Sequence, residues 1–292
     1  MKKWYSVLMA LFLAFAMLVV SSGCGKDAKK DSASTTATSQ ESLEQIFKEN
    51  AQKNLDKNIP FEEVYTTKAP TSAFMSTPDF DGTSLLIQAR KDFLADSYKL
   101  ESMTVSNIQL RDTLMAADIT ATATLTTHNG QKKTDSQSGK MVLRKEHGVW
   151  KQLPFGVVEV MPIKSIEVVS GGMRNVSVYG NIGKFFSGEH AIFLSFKNNG
   201  TTNYSMGWVN PPVISAITDT GEVISRSLPQ YGVKTISDPI LLRNETRWMI
   251  IAFPEAKGTI REIKFTDFHV LNPGGLPSET FEHPILTLHL TM

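Results

Sequence analysis

The sequence predicts an α+β unit followed by an all-β sandwich. Three observations carry this. Apolar residues recur at helical spacing between residues 43 and 55. The period changes to two at Ala117. After Met161-Pro162 every apolar run is short, alternating and bounded by turn residues. Helices first and an antiparallel sheet afterwards is an α+β order; many short strands without helices is a sandwich pattern.

The first helix is expected to open at Ser42-Leu43-Glu44-Gln45, a capping-box pattern with Ser42 as N-cap and Gln45 three residues on. Leu43, Ile46, Phe47, Ala51 and Leu55 then form one apolar face, and Pro60 ends it. Pro70 and Pro78 keep the next stretch irregular. A second short helix is expected over 85–94, with Leu86, Ala89, Phe93 and Leu94 near one face. Ala117, Ile119, Ala121, Ala123 and Leu125 alternate with Asp118, Thr120, Thr122, Thr124 and Thr126, which reads as a half-buried strand with one wet face. His128-Asn129-Gly130 is a turn, 141–144 a partner strand, His147-Gly148 a second turn, and 149–153 closes a meander.

In the second block, Ile192, Leu194 and Phe196 alternate with Ala191, Phe193 and Ser195. Asn198-Asn199-Gly200 and Asp219-Thr220-Gly221 are turns. Strands are expected over 166–169, 176–179, 213–217, 223–225, 248–253, 263–270 and 285–290, seven or eight in about 130 residues.

Length and composition bound the rest. A chain of 292 residues suits one large domain or two ordinary ones, and 41% hydrophobic residues suffice for a core, so a wholly disordered chain is excluded. A net charge of +1 gives no electrostatic footprint for nucleic acid. One cysteine excludes an intrachain disulfide framework and a cysteine-rich metal site.

Lys2 and Lys3 precede a 17-residue run, Trp4 to Val20, in which Ser6 is the clearly polar residue. That is short for a membrane span and right for the apolar region of a signal peptide. It ends in Val20-Ser21-Ser22-Gly23-Cys24. Small residues before a cysteine resemble the bacterial lipobox, where the cysteine is diacylated and becomes the first mature residue. The resemblance implies a signal peptide over 1–23, lipidation at Cys24, and a chain held on the outer face of the cell membrane. Ser21 departs from it, since an aliphatic residue is usual there. Cleavage would take two lysines from the 30 basic residues and none of the 29 acidic ones, leaving a net charge of −1. Residues 25–40 contain no large apolar side chain, so 24–40 reads as a lipidated start and a tether.

The helix, the alternating strand, the Gly-containing turn and Glu146-His147-Gly148-Val149-Trp150-Lys151 resemble the nuclear transport factor 2-like cone. The likeness is greatest to the small versions found in bacterial surface lipoproteins, and it covers about residues 41–158. Phe196-Lys197-Asn198-Asn199-Gly200, the Asp219–Gly221 turn and the late strand through Trp248 resemble immunoglobulin-like domains of uncharacterised Gram-positive lipoproteins, without the antibody cysteine pair. The implied architecture is an α+β cone over 41–160 and an immunoglobulin-like sandwich over 163–292. Some cone-fold enzymes carry an Asp–His or paired-acid site on the concave face. Here that face is expected to be the apolar one, with Asp118 outside.

Chemistry is sparse. No phosphate loop or G-x-S-x-G elbow is present, the six histidines are scattered, and no cofactor or metal site is expected. The richest loop is 200–212, where Tyr204 and Trp208 stand beside Asn203 and Asn210; an exposed aromatic there would dock an envelope protein or polysaccharide. The expected function is a membrane-anchored, non-enzymatic binding or scaffolding module of the cell envelope. The alternative is a small-ligand binder or enzyme with a pocket between the first helix and the sheet.

Overall fold

A computed structural model describes residues 37–292 except 67–70, 128, 171–172, 174, 206–212, 228–239, 267 and 277–284. The described chain divides into two compact units, Met1–Thr67 with Leu86–Gly156, and Lys68–Leu85 with Val157–Met292.

In the first unit, helix α1 (Ala37–Leu55) runs through Ser42, which is therefore not its cap. A short helix α2 (Phe61–Val64) follows Pro60. Four strands, β1 (Ser97–Arg111), β2 (Leu114–Thr126), β3 (Lys132–Glu146) and β4 (Val149–Gln152), form an antiparallel meander in that order. The β3–β4 turn places His147 (φ 50°) and Gly148 (φ 86°) in the left-handed region, as a two-residue hairpin matched to strand twist requires. The alternation in β2 sends Met115, Ala117, Ile119 and Ala121 inward. There they join Val105, Met141 and Leu143 and the Phe47–Ala51 stripe of α1 in one buried cluster.

The second unit opens, in chain order, with α3 (Thr71–Met75) and the start of α4 (Gly82–Phe93). Asp81 caps α4: its carboxylate accepts the backbone N–H groups of Thr83 (3.0 Å) and Ser84 (3.2 Å) and the Ser84 hydroxyl (2.6 Å). These hydrogen bonds, from Ser84 above all, hold the Asp81 carboxyl below its ordinary range. Twelve further strands follow among the described residues: β5 (Val157–Pro162), β6 (Ser165–Ser170), β7 (Val176–Phe185), β8 (His190–Asn198), β9 (Asn203–Ser205), β10 (Val213–Thr218), β11 (Val223–Ser227), β12 (Ile240–Leu241), β13 (Thr246–Phe253), β14 (Ile260–Phe265), β15 (His269–Leu271) and β16 (Leu286–Thr291). They make a five-stranded sheet, β11-β10-β14-β16-β6, a four-stranded sheet, β13-β8-β7-β5, and a small sheet, β12-β9-β15. Ile192, Leu194, Phe196 and Met249 of the four-stranded sheet share a core with Ile214, Ile263, Phe265 and Leu288 of the five-stranded one.

The other face of β8 is buried as well. Ala191, Phe193 and Ser195 are fully covered. The cover comes from a hundred residues earlier in the chain. Phe74 meets Phe193 edge-on at 6.0 Å, and Phe80 lies 5.5 Å from Phe193 and 5.9 Å from Trp248. Thr77 and Ser195 hydroxyls pair at 2.8 Å. Asn181 Nδ2 donates to the carbonyls of Ala73 (3.0 Å), Phe74 (3.2 Å) and Ser76 (3.0 Å), satisfying the end of α3. Gly183 supplies the socket, because a Cβ there would lie 2.9 Å from the Phe74 ring and 2.8 Å from Val157.

These findings correct the expected fold class. The chain is mostly β, in several antiparallel sheets, and not an α+β cone joined to an immunoglobulin-like sandwich. The first unit's largest feature is a sheet of 15-, 13- and 15-residue strands, and β1 was not expected at all. One face of β1, with Leu100, Met103, Val105 and Ile108, packs on the core, but two register shifts break the alternation, so no clean period marks it. The second unit is not a seven- or eight-strand sandwich but three sheets with a cover drawn from Lys68–Leu85. The expected cut near residue 160 moves too: β5 pairs with β7 and belongs to the second unit.

Candidate functional site

Two places concentrate polar groups in the first unit, and they differ in kind. The first is buried. Arg90 (9% exposed) donates from Nη1 to the Ile59 carbonyl at 2.8 Å, from Nη2 to the carbonyls of Lys53 (3.2 Å), Asn54 (3.4 Å) and Asp56 (3.0 Å), and from Nε to Asn54 Oδ1 at 3.3 Å. The guanidinium thus closes the end of α1, where backbone carbonyls lack helical partners and a cation suits the dipole. Tyr65 donates its hydroxyl to the same Asn54 Oδ1 at 2.7 Å. Burial holds that phenol protonated far above its ordinary range, against the opposing pull of Arg90 and Asn54. Phe61, Leu86, Phe93 and Pro154 complete the lining of a cavity of about 20 Å³, room for one water molecule. Nε, Nη1 and Nη2 of Arg90 are each turned to these oxygens, so the cluster builds the helix end. Between α1 and the sheet, Phe47 and Ala51 pack onto the inward residues of β1–β3.

The second place is the solvent face of the same sheet. Register sets Thr104, Thr120 and Ser138 side by side in one row across β1, β2 and β3, and Ser102, Thr122 and Ser136 in the next. Thr124 and Thr134 continue the pattern. Hydroxyl pairs span β2 and β3: Thr120–Ser138 at 2.8 Å, Thr122–Ser136 at 3.2 Å and Thr124–Thr134 at 2.8 Å. Rows repeat every second residue, about 6.6–6.8 Å apart, on strands about 4.8 Å apart. Charges bound the grid at both ends. At one, Asp118 accepts from Lys140 Nζ (2.7 Å) and Asn107 Nδ2 (2.7 Å). Partial burial would raise the Asp118 pKa, but these two donors outweigh it and hold the carboxyl low. At the other end Lys99, opposite Thr124, bonds Glu101 at 2.9 Å; that bond, with a second donated by Thr124, holds the Glu101 carboxyl below its ordinary range, and Lys132 stands opposite Thr126.

Among the residues singled out in the sequence, Cys24 and Trp208 lie outside the described residues. Tyr204 is corrected: it sits in β9 between β12 and β15, 1% exposed, stacked on Phe268 at 5.8 Å, and presents no surface to a ligand. Its polar neighbours Asn203 and Ser205 made a short buried strand look like a loop. Among the described residues no group of three or more His, Cys, Asp or Glu side chains is placed to hold a metal. The hydroxyl grid, Arg90 and Asn181 went unmarked as site or framework residues. The signal for the grid was present, in the unbroken Thr series of β2 and the Thr134, Ser136, Ser138 series of β3.

His190 is a framework residue with a testable signature. It is 9% exposed, and its Nδ1 accepts the Ala256 N–H at 3.3 Å, which requires a neutral ring. Burial first, then the charge of Lys184, lowers its pKa. The unfolded chain therefore takes up this proton before the folded one does. The stability tied to His190 is complete above an imidazole's usual ~6.5 and is lost as pH falls from there through the lowered value. Urea midpoints measured between pH 7.5 and pH 5 are expected to fall in the native chain and to fall less in His190→Gln.

No family model matches this chain, and no curated protein is measurably similar to it.

Proposed function

We propose that this protein is a lipid-anchored extracytoplasmic module that works by surface binding in the cell envelope, without catalysis. One observation carries the binding part. The polar groups around Arg90 are engaged by the framework about a cavity for one water, whereas the solvent face of β1–β3 is a broad, regular array of hydroxyls. Small-molecule and cofactor sites are typically concave pockets of about 300–1,000 Å³. The pocket alternative therefore finds no support at α1. The anchoring part rests on Lys2, Lys3, the apolar run and the small residues before Cys24. Two acyl chains, at about 0.8 kcal/mol per buried methylene, give stable membrane attachment.

Metabolic labelling with an alkyne fatty acid tests the anchor. The native chain should label and fractionate with membranes. Cys24→Ser should not label, and should either remain unprocessed or move to the soluble fraction. Undiminished labelling of Cys24→Ser would remove the anchor from this account.

A further inference from the structure

We propose that the solvent face of β1–β3 is the docking surface for a neutral, polyhydroxylated polymer: a glycan chain seated on the hydroxyl rows. The inference rests on the binding-module reading above and names its surface and its partner's chemistry.

The composition of the face selects the partner. A wet strand face ordinarily mixes Lys, Glu and Arg among its β-formers. Here Thr120, Thr122, Thr124 and Thr126 occupy successive outward positions of β2, and Thr134, Ser136 and Ser138 stand opposite the first three. No aromatic or large aliphatic side chain lies in the rows of Ser102 and Thr104, so an apolar peptide has nothing to bury against. A charged polymer gains no more. Asp118 pairs with Lys140 and Glu101 with Lys99, Lys132 opposite Thr126 adds one cation beside Glu101, and the chain as a whole is within one unit of neutrality, so no strong field of one sign runs along the rows. What the face does offer is hydrogen bonding in both senses. A hydroxyl has one donor and two acceptor positions. The Thr120–Ser138 and Thr122–Ser136 pairs each use one of each, leaving one donor and three acceptors to meet an alternation of hydroxyl donors and acceptors on a glycan, whereas Thr124 also donates to Glu101. The pairs at 2.8–3.2 Å also restrict the hydroxyl side chains before binding, which lowers the ordering cost. Cross-strand pairing alone explains why such residues stabilise the sheet. It does not explain why the two central rows, Thr104–Thr120–Ser138 and Ser102–Thr122–Ser136, carry no charge.

The test uses the full mature chain in detergent and two neutral probes, chitohexaose and cellohexaose, with polygalacturonate as the charged control. Thr120→Val/Thr122→Val/Thr124→Val keeps the branched shape that β2 prefers and removes three hydroxyls. Binding of at least one neutral hexamer, weakened tenfold or more by the triple substitution at an unchanged melting temperature, is the expected result. Ser102→Arg, on the edge strand, covers the same face without altering β2 and should weaken binding comparably, so a misfolded triple variant does not leave the matter open. Equal binding by native and substituted chains, tighter binding of polygalacturonate, or no binding of either hexamer at millimolar concentration would each overturn the proposal. If envelope material is bound equally well by the triple variant, the surface assignment fails while the binding-module reading stands. If the native chain binds no envelope material, the reading itself fails.

Discussion

Arg90→Met is expected to destabilise the first unit by about 3–5 kcal/mol, because several buried acceptors lose their donor at once. The carbonyls of Lys53, Asn54, Asp56 and Ile59 all accept from this one guanidinium, and Asn54 Oδ1 would keep only the Tyr65 hydroxyl. The methionine fills the apolar part of the space, so the loss is one of hydrogen bonds more than of packing. Arg90→Lys should recover only part of it, since an ammonium cannot reach carbonyls spread around a planar fork. Urea denaturation gives the magnitude. Hydrogen exchange gives the place: amides in the last turns of α1 should lose protection before those of β2 and β3. A loss below about 1 kcal/mol would mean that water replaces the guanidinium without penalty.

Phe74→Ala should cost the second unit about 3–5 kcal/mol, the range for emptying a buried aromatic site. Phe74 is fully buried, its ring lies on Gly183, and its neighbours Thr77 and Phe80 hold the same cover in place over Phe193. Filling the socket from the other side should hurt as well: Gly183→Ala is expected to cost about 1–3 kcal/mol by pushing Phe74 and Val157 apart. The same geometry makes a truncation informative. Residues 163–292 lack both β5 and the Phe74–Phe80 cover, so that fragment exposes the Phe193–Trp248 face and should aggregate. A soluble, cooperatively folding 163–292 would show that the cover contributes little.

Legibility from the sequence followed the locality of the physics. The alternation of β2, the His147-Gly148 turn and the apolar stripe of α1 are short-range patterns, and they stand as read. β1 escaped because register shifts at Leu100/Ser102 and Ser106/Gln109 throw its inward residues Leu100, Met103, Val105 and Ile108 out of a strict period of two. The helix of Thr71–Met75 escaped because its justification lies more than a hundred residues away, in the Asn181 amide and the bare Cα of Gly183. Tyr204 misled for the opposite reason: its local context is polar and turn-rich, while its burial is set by Phe268 and by pairing with β12 and β15. The hydroxyl grid was half visible. The wet face of β2 is plain in the sequence, but the facing rows on β1 and β3 emerge only once the register is known.

The claim that this chain binds envelope material through its folded surface, apart from its lipid, is tested most directly by co-sedimentation. The mature chain carrying Cys24→Ser, which cannot be acylated, is mixed with envelope fragments stripped of lipid. The account predicts saturable recovery in the pellet. Recovery entirely in the supernatant, while the acylated chain pellets with intact membranes, would contradict it and leave the lipid as the protein's attachment to the envelope.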